Sequence, residues 1–127
     1  MDIGSNTKLF FKEYDIPEQE CTLEHREALE EVVILMLFSD VVIECDGEQH
    51  QTYQNYCIQY DVDQWWGAYA MEVVKVNDKY YYDIAFRGEG NSQTYALLGL
   101  LIEMKKIFNK EQIEEIRDVF SSKDGNE

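Results

Sequence analysis

Two β-rich runs, Tyr69 to Val76 and Tyr80 to Phe86, meet at Val76-Asn77-Asp78-Lys79, and no other stretch restricts the fold of this chain as tightly. Asn and Asp tolerate the positive φ of a tight two-residue turn, so 69–76 and 80–86 are expected to fold back on each other as an antiparallel hairpin. The flanking segments must supply what packs on it.

On the N-terminal side, Leu29, Val32, Val33 and Met36 recur at the spacing of a buried helical stripe, with Glu24, Arg26, Glu27, Glu30 and Glu31 on the outer face and Thr22 as N-cap. A helix over 22–38 follows. On the C-terminal side, Gly88-Glu89-Gly90-Asn91 is expected to break the strand. Ser92 then caps a helix over 92–107 carrying Ala96, Leu97, Leu100, Leu101 and Met104, with Lys105 and Lys106 near its negative end. Asn109 caps a last helix, Lys110 to Phe120, with Ile113, Ile116 and Phe120 inward. Val41-Val42-Ile43-Glu44-Cys45, closed by Asp46-Gly47, reads as a strand, whereas residues 49–60 fit strand and helix about equally. Residues 1–21 are expected to form an extended arm whose Leu9-Phe10-Phe11 patch docks on the core, and 122–127 a flexible tail. The fold class is α+β: an N-terminal helix, an antiparallel sheet of three or four strands and two C-terminal helices, in a single domain spanning 1–127.

Charge narrows the function. Asp and Glu number 26 against 11 Lys and Arg, a formal charge of -15, while 45% of the chain is hydrophobic, enough to offset chain entropy and place that charge on a folded surface. Such a field repels phosphate backbones and anionic lipid, so neither nucleic acid nor membrane is expected as a direct ligand. It favours a basic protein, a basic peptide or a cation. Phe10-Phe11 is cut short by Lys12 and Glu13, so no secretory signal is visible. The longest apolar run, Val32 to Phe38, falls far below the roughly 20 residues that cross a bilayer. A cytoplasmic location is expected, and with it three reduced thiols at Cys21, Cys45 and Cys57.

The motifs that could carry chemistry are incomplete. Cys21 and His25 stand at i, i+4, but Cys45, His50 and Cys57 lack the tight knuckle spacing of structural zinc, so no metal is expected. Asp46-Gly47-Glu48, Asp61-x-Asp63 and Lys123-Asp124-Gly125 are acidic turns without the ligands of a calcium loop. Gly88-x-Gly90-x-Ser92 lacks the further glycine or the Gly-Lys-Ser/Thr of a phosphate cradle, and no cofactor is expected. Within an α-β-β-β-α order, that same element before a helix resembles the double-stranded-RNA-binding domain over residues 22–108. That family places lysines where this chain has Gln93, Thr94 and Leu97, so the resemblance implies an architecture without the cations that meet phosphate. Glycines that allow a tight turn before a capped helix account for the motif. No nucleophile, histidine and acid form a recognisable catalytic set, and an enzyme is not expected.

The informative pattern is one of distribution. Between Arg26 and Lys75 there is no Lys or Arg, while Asp40, Glu44, Asp46, Glu48, Asp61 and Asp63 share the stretch with Tyr53, Tyr56, Tyr60, Trp65 and Trp66. Large aromatics supply contact area and unpaired carboxylates supply partners for Lys and Arg, as a site for a basic protein requires. The adjacent Trp65 and Trp66 would point to opposite faces of an extended segment, so one of them is available to a partner. The expectation is a non-catalytic inhibitor of a basic, nucleic-acid-handling protein such as a nuclease, of the immunity-protein, antitoxin or phage anti-defence kind. Its partner-binding residues would be Asp40, Glu44, Asp46, Glu48, Asp61, Asp63, Trp65 and Trp66. The alternative is an adaptor or chaperone-like module that holds a partner segment on its sheet edge, its acidity serving only solubility.

Overall fold

The structure, a computed structural model, describes residues 5–36, 42–45, 48–51, 56–60 and 65–121. Two helices, α1 (Ser5–Glu13) and α2 (Leu23–Met36), precede the strands β1 (Val42–Cys45), β2 (Glu48–Gln51), β3 (Tyr56–Tyr60), β4 (Trp66–Val76) and β5 (Lys79–Gly90), and α3 (Gln93–Met104) and α4 (Lys110–Val119) follow. The architecture is α+β, with a three-stranded antiparallel sheet β3–β4–β5, but five strands rather than three separate α2 from α3, so the α-β-β-β-α order is not kept. β1 and β2 form a separate two-stranded antiparallel ribbon, so within 49–60 the described residues 49–51 and 56–60 are strand.

The hairpin is longer than its sequence signal. Asn77 and Asp78 turn the chain with φ of 52° and 66°, both positive as the tightest hairpin turn requires, and β4 pairs with β5 from Val76↔Lys79 to Trp66↔Gly90. A bulge between Ala70 and Met71 leaves Ala85 as the extra residue of β5. Alternation on β4 turns Ala68 and Ala70 toward the helices, and across the bulge the register places Phe86, Gly88 and Gly90 on that same face.

Gly88 and Gly90 therefore do not break the strand, contrary to the turn expected there. A Cβ on Gly88 would stand 2.1 Å from Leu100 N and 2.4 Å from Ala96 O, so the backbone of α3 lies directly on β5. Ser92 caps α3, its Oγ accepting from Tyr95 N at 3.1 Å. α3 is the hub of the core: Ala96, Leu97, Leu98, Leu100, Leu101 and Met104 are all fully buried, each leucine contributing about 1.5–3 kcal/mol by leaving water. α4 is opened by a full capping box between Asn109 and Gln112.

The N-terminal arm is corrected to a helix. Thr7, Phe10, Phe11 and Tyr14 recur at i, i+3, i+4 and i+7, and all four are buried, so Phe10 and Phe11 of the apolar patch dock on the core as the face of α1 while Leu9 is exposed. Phe11 meets Phe120 edge-on with ring centroids 5.2 Å apart, and His25 of α2 lies 4.6 Å from the same Phe120 ring. Tyr14 Oη donates to the carbonyl of Leu101, tying the end of α1 to α3. The expected residues 37 and 38 of the first long helix, the Asp46-Gly47 turn and the 122–127 tail lie outside the described residues.

α1 ends on Asp15 at φ 55°, with Ile16 N donating to Phe11 O at 2.9 Å and Asp15 N to Lys12 O at 3.3 Å, a left-handed helix cap. The Asp15 carboxylate is exposed and reaches Arg117 only at 3.9 Å. Asp15→Gly should therefore raise stability by about 0.5 kcal/mol, since glycine accepts this φ without strain and the lost ion pair is worth little. Urea denaturation checks this, and a comparable loss would mean the carboxylate matters more than the backbone.

Candidate functional site

The only Lys or Arg of α2 points inward. Arg26 Nη1 donates to Gln93 Oε1 at 2.6 Å, its Nε lies 3.8 Å from Glu30 Oε1, and Tyr56 Oη donates to Glu30 Oε2 at 2.9 Å. This half-buried bridge fastens α2 to the start of α3 and to β3. Burial, reinforced by the Glu30 carboxylate, pushes the Tyr56 hydroxyl pKa far up, so Tyr56 stays a donor.

With Arg26 turned in, the outer face of α2 carries Glu24, Glu27, Glu31 and Leu35 at i, i+3, i+7 and i+11, all exposed. None of the three carboxylates has an ion pair among the described residues. α4 repeats the pattern with Glu111, Glu114, Glu115 and Asp118 exposed, its Arg117 directed to Asp15. The two helices lie side by side, and Glu24 lines a shallow groove between them with His25, Ala28 and Val119. Carboxylates this dense, outnumbering the Lys110 and Arg117 of α4, set up a negative potential that concentrates cationic partners at the surface.

The expected partner-binding residues are not gathered in one place. Asp40, Asp46, Asp61 and Asp63 lie outside the described residues. Glu44 and Glu48 belong to the β1–β2 ribbon, opposite Gln49 and Cys45 in its register. Trp66 is half-buried against the core and meets Tyr60 edge-on at 5.2 Å, so it packs the sheet. Trp65, 49% exposed, is the one that faces out.

Trp65 lines one of two adjoining hollows. With Ser5, Asn6, Glu89, Asn91 and Tyr95 it lines a space of about 370 Å³, and a second of about 500 Å³, lined by Phe86, Gly88, Gly99, Ile102 and Leu9, shares Asn6 and Glu89 with it. β5 forms one wall and is an edge strand in the register of the described residues. Asn6 Nδ2 donates to Glu89 O at a long 3.4 Å, which marks that carbonyl as facing the hollows. The hollows offer a sheet edge, an exposed indole and apolar side chains, the parts that hold an extended peptide.

Cys21 and His25 have structural roles, while the side chains of Cys45 and His50 lie outside the description. Cys21 and Cys57 form no disulfide, and burial pushes the Cys21 thiol up to about 11, against a smaller opposing effect of Arg26, which keeps it protonated and unreactive. His25 Nδ1 accepts from Thr22 N at 3.1 Å while His25 N donates to Thr22 Oγ1 at 3.2 Å, a reciprocal cap that opens α2. Among the described residues, no group of three or more His, Cys, Asp and Glu gathers as a metal site would, and no helix is long and apolar enough to cross a membrane. At the positions where the RNA-binding resemblance places lysines, Gln93 is held by Arg26 and Leu97 is fully buried. The acidic stripes of α2 and α4 were available in the sequence as helical spacing, whereas the inward turn of Arg26 depends on where Gln93 and Glu30 come to lie. Compared with known protein families, with curated proteins and with solved structures, the chain matches none.

Proposed function

We propose that this chain is a non-catalytic, cytoplasmic protein that binds and inhibits a basic, nucleic-acid-handling protein, as immunity proteins, antitoxins and phage anti-defence inhibitors do. The observation that carries the reading is the inward turn of Arg26, which leaves Glu24, Glu27 and Glu31 outward and without an ion pair among the described residues. Carboxylates on a rigid helix can stand where a nucleic acid's phosphates would, and the field around them speeds encounter with a basic surface.

The test begins with capture of the partner at low salt from the native host. Glu24→Gln, Glu27→Gln and Glu31→Gln combined should then slow association about tenfold and change stability by less than about 0.5 kcal/mol. A basic nuclease or related enzyme is the expected partner. A neutral, hydrophobic client that binds the triple variant equally well would sink the reading.

The hollows beside β5 favour the adaptor as a second reading. There a partner segment would pair with the edge strand next to Trp65, and the same three substitutions would leave binding intact.

A further inference from the structure

Beyond the bulge, one face of the β4–β5 hairpin leaves Glu72, Val76, Tyr81 and Asp83 exposed and Val74 half-buried. The register sets Glu72 directly opposite Asp83, and the next pairs outward on the same face are Val74↔Tyr81 and Val76↔Lys79. Both carboxylates are exposed, and Tyr81 and Val76 are 52% and 51% exposed. Like charges directly opposite in an antiparallel ladder are destabilising. No ion pair relieves this one among the described residues: the nearest cation along β4, Lys75, reaches Asp78 in the turn at 3.9 Å, and Lys79 stands two pairs away. The fold therefore carries an unfavourable pair that packing does not require, beside an exposed phenol ring and two valines.

We propose that this sheet face docks an arginine-bearing segment of the basic partner, the guanidinium bridging Glu72 and Asp83 while its flat side lies on Tyr81. Charge complementarity selects the occupant: a planar fork of N–H donors satisfies two neighbouring carboxylates at once, and an arginine stacks on an aromatic face as an ammonium does not. Val74 and Val76 give the arginine's neighbours an apolar seat. The inference rests on the proposed binding of a basic protein and names the part of the surface that reads it.

The opposed carboxylates give this idea a signature that a structural role cannot produce. Glu72→Gln and Asp83→Asn should each raise the melting temperature of the free protein by about 1–4 °C, because each removes the repulsion. Together they should weaken binding of a short synthetic peptide of alternating arginine and valine about tenfold at fixed ionic strength. The same peptide with citrulline for arginine should bind the unaltered protein no better than the arginine peptide binds the double variant. Equal affinity of the arginine peptide for unaltered and doubly substituted protein would overturn the proposal. If the α2 triple variant then still weakens the peptide, the wider acidic reading survives and only the hairpin falls; if it does not, both fall. A lowered melting temperature in either single variant, or a calcium-induced stabilisation abolished in the double variant, would assign the pair to packing or to a cation and equally overturn it.

Discussion

Gly88→Ala is expected to destabilise the protein by about 3 kcal/mol or more, a large part of what a domain of this size has in reserve. The added methyl would stand 2.1 Å from Leu100 N, 2.4 Å from Ala96 O and 2.6 Å from Gly99 C. All three are backbone atoms of α3, so no side chain can swing aside. Relief requires α3 to lift off the sheet, and with it the seating of Leu97, Leu100 and Leu101. Gly99, on the facing side of the same contact, behaves differently. Its Cβ would meet Gly88 Cα at 3.4 Å and Asn6 Nδ2 at 3.6 Å, ordinary contact distances, so Gly99→Ala should gain about 0.5–1 kcal/mol from helix propensity. Urea denaturation of both variants is the check. A Gly88→Ala midpoint equal to wild type would show that α3 does not sit on β5 as described.

Raising the pH should unfold the protein cooperatively near about pH 12, because two buried tyrosines must ionise. Tyr14 and Tyr56 both have hydroxyl pKa values raised well above the ordinary 10, chiefly by burial, with Glu13 adding to the first and Glu30 to the second. An acid whose pKa is higher in the folded state contributes stability that is complete below its unfolded pKa and is lost as pH climbs from there toward the folded value. For each tyrosine the loss is about 1.4 kcal/mol per pH unit above about 10. Two together erode a reserve of about 5 kcal/mol within about two pH units. Cys21 acts in the same direction in a lower window, from about pH 9 to 11. Tyrosinate absorbance followed beside circular dichroism should show the last tyrosines ionising in step with loss of structure. Smooth titration of every tyrosine with the fold intact would contradict the burial of Tyr14 against Leu101 and of Tyr56 against Glu30.

Short-range chemistry made much of this fold legible. The Asn77-Asp78 turn, the Thr22, Ser92 and Asn109 caps and the leucine stripe of α3 are local signals, and each stands where its residues place it. The turn even implies the Glu72↔Asp83 pairing, since a two-residue loop fixes which positions face each other. α1 was legible too: Thr7, Phe10, Phe11 and Tyr14 have the helical period, but the lone Pro17 and a position at the chain's start suggest an arm instead. Long-range facts were not available. That Gly88 serves as a landing for α3 rather than as a turn depends on how closely a helix approaches a strand. That Trp66 packs while Trp65 faces a hollow depends on where β4 begins. Of the acidic, base-free stretch, Glu27, Glu31 and Glu72 have a described outward position, while the exposed carboxylates of α4 lie beyond it and show only as helical spacing.

The most direct test of the central claim is the association rate constant with the captured basic partner, measured as ionic strength rises from about 20 to about 200 mM. Steering by the acidic faces predicts a fall of tenfold or more across that range, with a shallower fall for the protein carrying glutamine at Glu24, Glu27 and Glu31 and for one with reversed charge at Asp61 and Asp63. A rate constant that is flat with salt and unchanged by those substitutions would contradict it, and would leave the hollow beside Trp65 as the surface that binds.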